Sequence, residues 1–203
     1  MNKFGILVLA AGRSSRFGSD KLFATMPDGR PVIAHSLAPA LEFSSQQKLP
    51  LSVVVRANNA ELIDYLIQEK IDYVICPDAH LGMGNSIAHG IKSNQTWQGW
   101  MITLADMPNI NIHLLNDLLN NIEQDTQSIV RPKLLTKDKS IPAHPVYFPQ
   151  KYAFLLSKLT GDNGAKHIIQ QLKWIDIVDS QILMDVDTPE VLQTLHKQKE
   201  RLT

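Results

Sequence analysis

Near the amino end the chain carries an apolar run, Ile6-Leu-Val-Leu-Ala-Ala11, that stops abruptly at Gly12. Six residues are too few for a helix of their own, and the run reads as a buried strand. The loop that follows holds Gly12, Gly18, several serines and the cations Arg13, Arg16 and Lys21. A strand feeding such a loop brings backbone N–H groups and positive charge together at one end of a sheet, which is how a protein grips a row of phosphates. Its spacing differs from two common phosphate loops. Gly12 and Gly18 stand too far apart for G-x-x-x-x-G-K-[ST], and Lys21 does not directly follow the second glycine. Nor does the loop read G-x-G-x-x-G, which removes the main support for a dinucleotide fold and an NAD-type oxidoreductase.

Downstream, strand-like runs alternate with helical patterns, so the expected fold class is α/β, a Rossmann-like, mostly parallel sheet with helices on both faces. Helices are predicted over 31–43 and 60–69, and strands over 51–55 and 73–76. After Leu81-Gly-Met-Gly-Asn-Ser86, a helix is predicted from Ile87 with Asn85 or Ser86 as its cap. The glycines at 82 and 84 also let backbone approach a flat base or ribose. A strand is predicted over 100–105, then a helix over 112–122 capped by Asn111. Asp106 is thereby left over at the carboxyl end of a central strand, where open α/β sheets bind ligands.

The second half is less regular. A short strand at 129–130 is predicted to enter a charged loop over 133–140, and a strand follows that starts at His144 or Val146. A helix over 151–159 comes next, then a small-polar loop from Thr160 to His167 that is a possible anion site, with Lys166 in the first turn of an amphipathic helix through Ile168, Ile169 and Leu172. Two late strands, 174–178 and 182–186, lead to a final helix over 190–198 with Thr188 as cap and Pro189 at its first position. In a strand, the carboxylates of Asp185 and Asp187 would face one side.

With 203 residues, the expectation is a single domain spanning 1–203. Its 20 acidic and 20 basic residues balance, which disfavours a nucleic-acid coat or a membrane-surface protein. Cys76 is the single cysteine, so an intrachain disulfide framework is excluded and a reducing compartment fits. No signal-peptide pattern or bilayer-length apolar run is present, and a cytoplasmic location is expected.

The segment Leu9-Ala-Ala-Gly-Arg-Ser-Ser-Arg-Phe-Gly18 with Lys21 resembles the signature loop of the nucleotidyltransferase superfamily, L-A-A-G-x-S-x-R-F/M-G-x-x-K. Gly82-Met83 with Ser86, Leu104-Ala-Asp-Met-Pro108, Ala143-His-Pro-Val146, Gly161-Asp-Asn-Gly-Ala-Lys166 and Asp185-Val-Asp-Thr-Pro189 are similar to its later motifs, in order. The details look most like the molybdenum-cofactor cytidylyltransferase branch. The resemblance implies a nucleotide-diphospho-sugar-transferase type of fold, with a nucleotide-binding amino-terminal half and an acceptor-binding carboxyl-terminal half. It implies catalytic roles for Arg13, Arg16, Lys21 and Asp106, with nucleotide contacts from Leu9, Ala10, Ala11, Gly12, Gly82, Gly84, Asn85 and Ser86. His144, Asp162, Gly164 and Lys166 would lie on the acceptor side, and Asp106 and Asp187 would hold magnesium, Asp187 being narrowly favoured over Asp185.

The implied reaction transfers CMP from CTP to the terminal phosphate of molybdopterin and releases pyrophosphate, with a molybdoenzyme as recipient of the product. The alternatives are guanylyl or other nucleotidyl transfer to a different phosphate acceptor, and a non-catalytic nucleotide-binding cofactor chaperone. Two residues depart from the family pattern: Ala143 replaces a glycine, expected to strain the loop if φ is positive there, and Lys166 replaces an arginine.

Overall fold

The computed structural model describes residues 4–14, 17–18, 20–136, 139–169, 172–177 and 179–200, the side chains of 183 and 195–200 excepted. In chain order the strands are β1 (Gly5–Leu9), β2 (Leu51–Arg56), β3 (Tyr73–Cys76), β4 (Gly99–Leu104), β5 (Ile129–Leu135), β6 (Ser140–Pro142), β7 (Val146–Pro149) and β8 (Leu172–Ile177). The helices are α1 (Val32–Gln47), α2 (Ala60–Gln68), α3 (Met83–Ser93), α4 (Ile112–Gln124), the single turn α5 (Ala153–Leu156) and α6 (Pro189–Glu200). The sheet order is β3-β2-β1-β4-β7-β5-β6, with β8 also paired to β5. Strands β1 to β4 run parallel, as do β5 and β8, whereas β7 lies antiparallel to both β4 and β5 and β6 antiparallel to β5.

β1 is buried along its whole length because both faces of the sheet carry helices. Ile6 and Val8 pack with Ile33, Leu37 and Phe43 of α1, Leu62 and Leu66 of α2, and Leu114 and Leu118 of α4. Leu7 and Leu9 turn the other way, toward Ile87, Ala88 and Ile91 of α3 and Leu156 of α5. Side-chain alternation with period two therefore feeds two cores from one continuous apolar run. The expected α/β class, with helices on both faces, is the fold observed.

Four expectations differ from the structure. β5 continues to Leu135 in place of a charged loop, because Lys133, Leu134 and Leu135 pair with Pro142, Ile141 and Ser140, and only Leu134 of the three is buried. Ile168 and Leu172, though at helical spacing, belong to a 3-10 turn (Lys166–Ile168) and to β8, which runs beside β5 from Ile129↔Leu172 to Leu134↔Ile177. The helix expected over 151–159 shrinks to a 3-10 turn (Gln150–Tyr152) and α5. The strand expected over 182–186 is a 3-10 turn (Ser180–Leu183) followed by extended chain, so the period-two argument for Asp185 and Asp187 does not apply. Val178, the expected end of the preceding strand, lies outside the described residues.

No helix among the described residues is long and apolar enough to cross a membrane.

Candidate active site

The site is assembled where β1 and β4 end side by side. Leu9 pairs with Leu104, and the Ala105 N–H donates to the Leu9 carbonyl at 3.0 Å, so the loop after β1 and the turn after β4 leave the sheet together. The N-terminus of α3 closes the third side. Between them lies a cavity of about 300 Å³ lined by Leu9 to Ser14, Lys21, Leu22, Ala79, His80, Gly82, Met83, Ser86, Leu104 to Asp106 and Asp162. Its place at the carboxyl ends of parallel strands is where open α/β sheets take their ligands.

Lys21 stands on a short 3-10 turn (Lys21–Phe23), which Asp20 caps by accepting the Leu22 N–H at 3.2 Å. Its ammonium donates to Asp106 Oδ2 at 2.6 Å and to Asp187 Oδ1 at 2.5 Å. Asp187 comes from far along the chain and is brought in by backbone: the Val186 N–H donates to the Asp106 carbonyl at 2.8 Å. Val186 itself is fully buried against Met26 and Val32. Burial alone would lower the Lys21 pKa, but the charges and hydrogen bonds of Asp106 and Asp187 outweigh it and hold the ammonium above its ordinary value. At Asp185, burial first, then repulsion from Asp187 and Asp106, pushes the carboxyl up. The second oxygen of Asp106, Oδ1, is buried without a partner.

Of the expected nucleotide contacts, Leu9, Ala10, Ala11, Gly12, Gly82 and Ser86 line this cavity, and so does Arg13, expected as a catalytic residue. Arg16 lies outside the described residues. Gly84 and Asn85 do not line it, for a steric reason. The Gly84 N–H donates to the Gly161 carbonyl at 2.7 Å, and Asn85 Oδ1 accepts the Gly161 N–H at 3.0 Å. A Cβ on Gly84 would sit 2.7 Å from the Thr160 carbonyl oxygen, so backbone, not a base, occupies the space that the missing side chain opens. The same contact starts α3 at Met83, four residues before the expected Ile87, with Gly82 as a cap that makes no side-chain bond.

Of the residues expected on the acceptor side, only Asp162 lines the cavity. Gly164 adopts φ +54° and packs on Met83, while Lys166 begins a 3-10 turn away from the lining. His144 does not line it either. The residue is half-buried, its Nδ1 is enclosed without a partner, and its ring is hydrogen-bonded to the Ile102 backbone. Burial, reinforced by Arg131, lowers its pKa to about 4, so the ring is neutral at physiological pH. Ala143 is not among the described residues with positive φ, its N–H donates to the Pro132 carbonyl at 2.8 Å, and the expected strain is not present.

Sequence reasoning missed His80, Met83 and Ser14 as lining residues. Ser14 lay within the quoted loop and Met83 between two singled-out glycines, so adjacency was a usable signal; His80 had none. Among the described residues, no group of three or more His, Cys, Asp or Glu is arranged to hold a metal.

A family model described as MobA-like NTP transferase domain matches residues 6–176. The chain is 28% identical over 199 residues to the purine catabolism protein PucB of Bacillus subtilis, covering 90% of each. It is 25% identical over 143 residues to a probable molybdenum cofactor guanylyltransferase of Rhodopirellula baltica, covering 70% of this chain and 66% of that one. Among solved structures, Rv0371c from Mycobacterium tuberculosis H37Rv matches with a TM-score of 0.78 at 19% identity, over 96% of this chain and 98% of that one. A manganese complex of Rv0371c matches with a TM-score of 0.74 at 18% identity, again over 96% and 98%. At such identities the solved structures speak to fold alone.

Proposed function

The chain belongs to the MobA-like NTP transferase domain family, a nucleotidyltransferase family, and from that premise we propose that it transfers CMP from CTP to the terminal phosphate of molybdopterin, with magnesium, as one domain over 1–203. The observation that supports this best is the pairing of Lys21 and Asp106, both in the lining of a cavity walled by the Leu9–Ser14 loop, with Asp187 joining them through the Lys21 ammonium from outside that lining.

In the proposed reaction an oxygen of the acceptor phosphate attacks the α-phosphorus of the triphosphate, a P–O bond forms, and the bond to the departing pyrophosphate breaks in line. That oxygen is already ionised at neutral pH, so no strong protein base is needed. The work is electrostatic. Two unit charges ~4 Å apart at an effective dielectric of ~20 repel by about 4 kcal/mol. Arg13 and Lys21 bring cations to the cavity, and backbone N–H groups of the loop add fixed dipoles. Arg16 is assigned a like role by the family motif.

Asp106 and Asp187 fit a magnesium site: both are oxygen donors, both already hold a cation in the Lys21 ammonium, and Asp106 Oδ1 has an unmet lone pair. Two carboxylates with substrate oxygens and water suit this ion. When bound, it supplies two units of positive charge to the phosphates. Lys21, released from the carboxylates, would then neutralise phosphate oxygens. Ser86, Gly82 and the Leu9–Gly12 backbone border the nucleotide, and Asp162 faces the acceptor. The product would pass to a molybdoenzyme.

A second reading, guanylyl transfer to the same acceptor, is favoured by the relative named a probable molybdenum cofactor guanylyltransferase. Incubation with each labelled triphosphate, magnesium and molybdopterin, followed by pyrophosphate measurement, separates the two. Release with CTP supports the first reading, preference for GTP moves the protein to the second, and no release with any triphosphate removes both.

A further inference from the structure

A carboxylate inside a loop built for polyanions is electrostatically out of place, yet Asp20 stands immediately before Lys21. Both its oxygens are fully used. Oδ1 accepts from the Ser14 hydroxyl at 3.3 Å and from the Leu22 N–H at 3.2 Å. Oδ2 accepts from Asn59 Nδ2 at 2.8 Å and from Arg56 Nη2 at 3.0 Å. The Ser14 hydroxyl in turn accepts the Lys21 N–H at 3.1 Å.

Arg56, the last residue of β2, spends its other guanidinium nitrogen, Nη1, on the Gly12 carbonyl. One planar fork therefore spans the two ends of the loop, Gly12 and Asp20, a reach that lysine could not copy. Asn59 is buried and divided the same way: Oδ1 caps α2 by accepting the Leu62 N–H at 3.3 Å, and Nδ2 faces Asp20. Gly12 and Asp20, on either side of the glycine- and serine-rich segment, are thus both tied to the β2–α2 corner. Arg13 sits between two of the tied residues, Gly12 and Ser14.

We propose that Asp20 and Arg56 are positioning residues for the transfer, holding Arg13 and Lys21 in place before the triphosphate arrives. This inference rests on the nucleotidyltransferase reading above. It differs from a simple charge role in sign. Asp20→Asn removes a negative charge beside the triphosphate, so a pure charge role predicts tighter nucleotide binding and unchanged turnover. The substitution also turns an amide donor, in place of an acceptor, toward Asn59 and Arg56, or else loses the bonds to Ser14 and Leu22.

The test has two arms, both on the full chain. In the first, amide exchange over residues 12–23 is followed without metal or nucleotide in the wild type, Asp20→Asn and Arg56→Met. Exchange there is expected to rise about tenfold or more, with β1, β2 and β4 peptides unchanged. In the second, kcat is expected to fall about 10- to 100-fold, the scale of a small misplacement, while triphosphate Kd is unchanged or tighter in Asp20→Asn. The double variant is expected to lose no more than the worse single variant, because both act through one tie.

Unchanged exchange, unchanged kcat, a loss entirely in KM, or multiplying losses in the double variant would each overturn the proposal. If Asp20→Asn does not fold, Arg56→Met reads the same tie from its more exposed end. If the wild type transfers nothing to any acceptor, the catalytic assignment falls with the functional reading, and the exchange arm alone then decides whether the tie exists.

Discussion

The two sides of the cavity are built differently. On the side proposed for the triphosphate, Lys21, Asp106 and Asp187 already touch, and Gly12 and Asp20 are anchored through Arg56, Asn59 and Ser14. On the side proposed for the acceptor, Asp162 lines the cavity while His144, Gly164 and Lys166 do not. The difference is physically reasonable. Opposed carboxylates and an ammonium stabilise one another without ligand. The preassembled half is therefore the one in which Lys21, Asp106 and Asp187 meet as opposite charges.

The largest expected effect breaks the preassembled side. Asp106→Ala is expected to lower kcat on the order of 10³-fold with an unchanged far-ultraviolet spectrum, as removal of a central electrostatic group does. Near-normal turnover would place the metal elsewhere. Lys21→Ala comes next, with about a 10²-fold loss in kcat/KM for the triphosphate; an unchanged value in steady-state kinetics would count against its contact with phosphate.

The sequence made the first side legible and the second much less so, for local reasons. An apolar run that stops on glycine, followed by three cations, needs no tertiary information to read. Asp106 stood out because Asn111 was better placed to cap α4, and Asn111 does so by accepting the Leu114 N–H at 3.0 Å. The contact of Gly84 and Asn85 with Gly161 could not be read from the sequence, because Gly161 lies 76 residues beyond Asn85 and no nearby residue records it. Ile168, Ile169 and Leu172 fit a helical stripe, yet the parallel partner offered by β5 decides for a strand from Leu172. Short apolar runs fit both periods, and tertiary pairing chooses between them. Asp187 was preferred over Asp185 for its place in a motif; the contact with Lys21 comes from extended chain held on Asp106, not from the expected strand.

The remaining predictions sharpen the contrast. Gly82 adopts φ +118°, and a Cβ there would lie 2.4 Å from the carbonyl carbon of Gly161. Gly82→Ala is therefore expected to cost about 1–3 kcal/mol in thermal or denaturant unfolding, since the strain cannot relax without moving the 160–162 segment. An unaffected midpoint would show that this segment yields easily.

His144 supplies a pH test. Its folded pKa of about 4 lies below the ordinary value of 6.5, so the unfolded chain takes up the proton first. Its contribution to stability is therefore constant above about pH 6.5 and declines as pH falls from there toward 4. His144→Gln is expected to flatten the stability profile in that window, and an identical slope in both proteins would argue against the enclosed neutral ring. The smallest effect is expected from Lys166→Ala, a few-fold at most in acceptor KM, the size of an exposed ionic contact.

The convergence of Asp106 and Asp187 on one cation is tested most directly by titrating Mn2+ into the protein with CTP present and following free Mn2+ by electron paramagnetic resonance. Asp106→Asn and Asp187→Asn are each predicted to weaken binding by about tenfold or more relative to wild type. Equal Mn2+ affinity in all three proteins would contradict a shared metal site and, with it, the proposed chemistry.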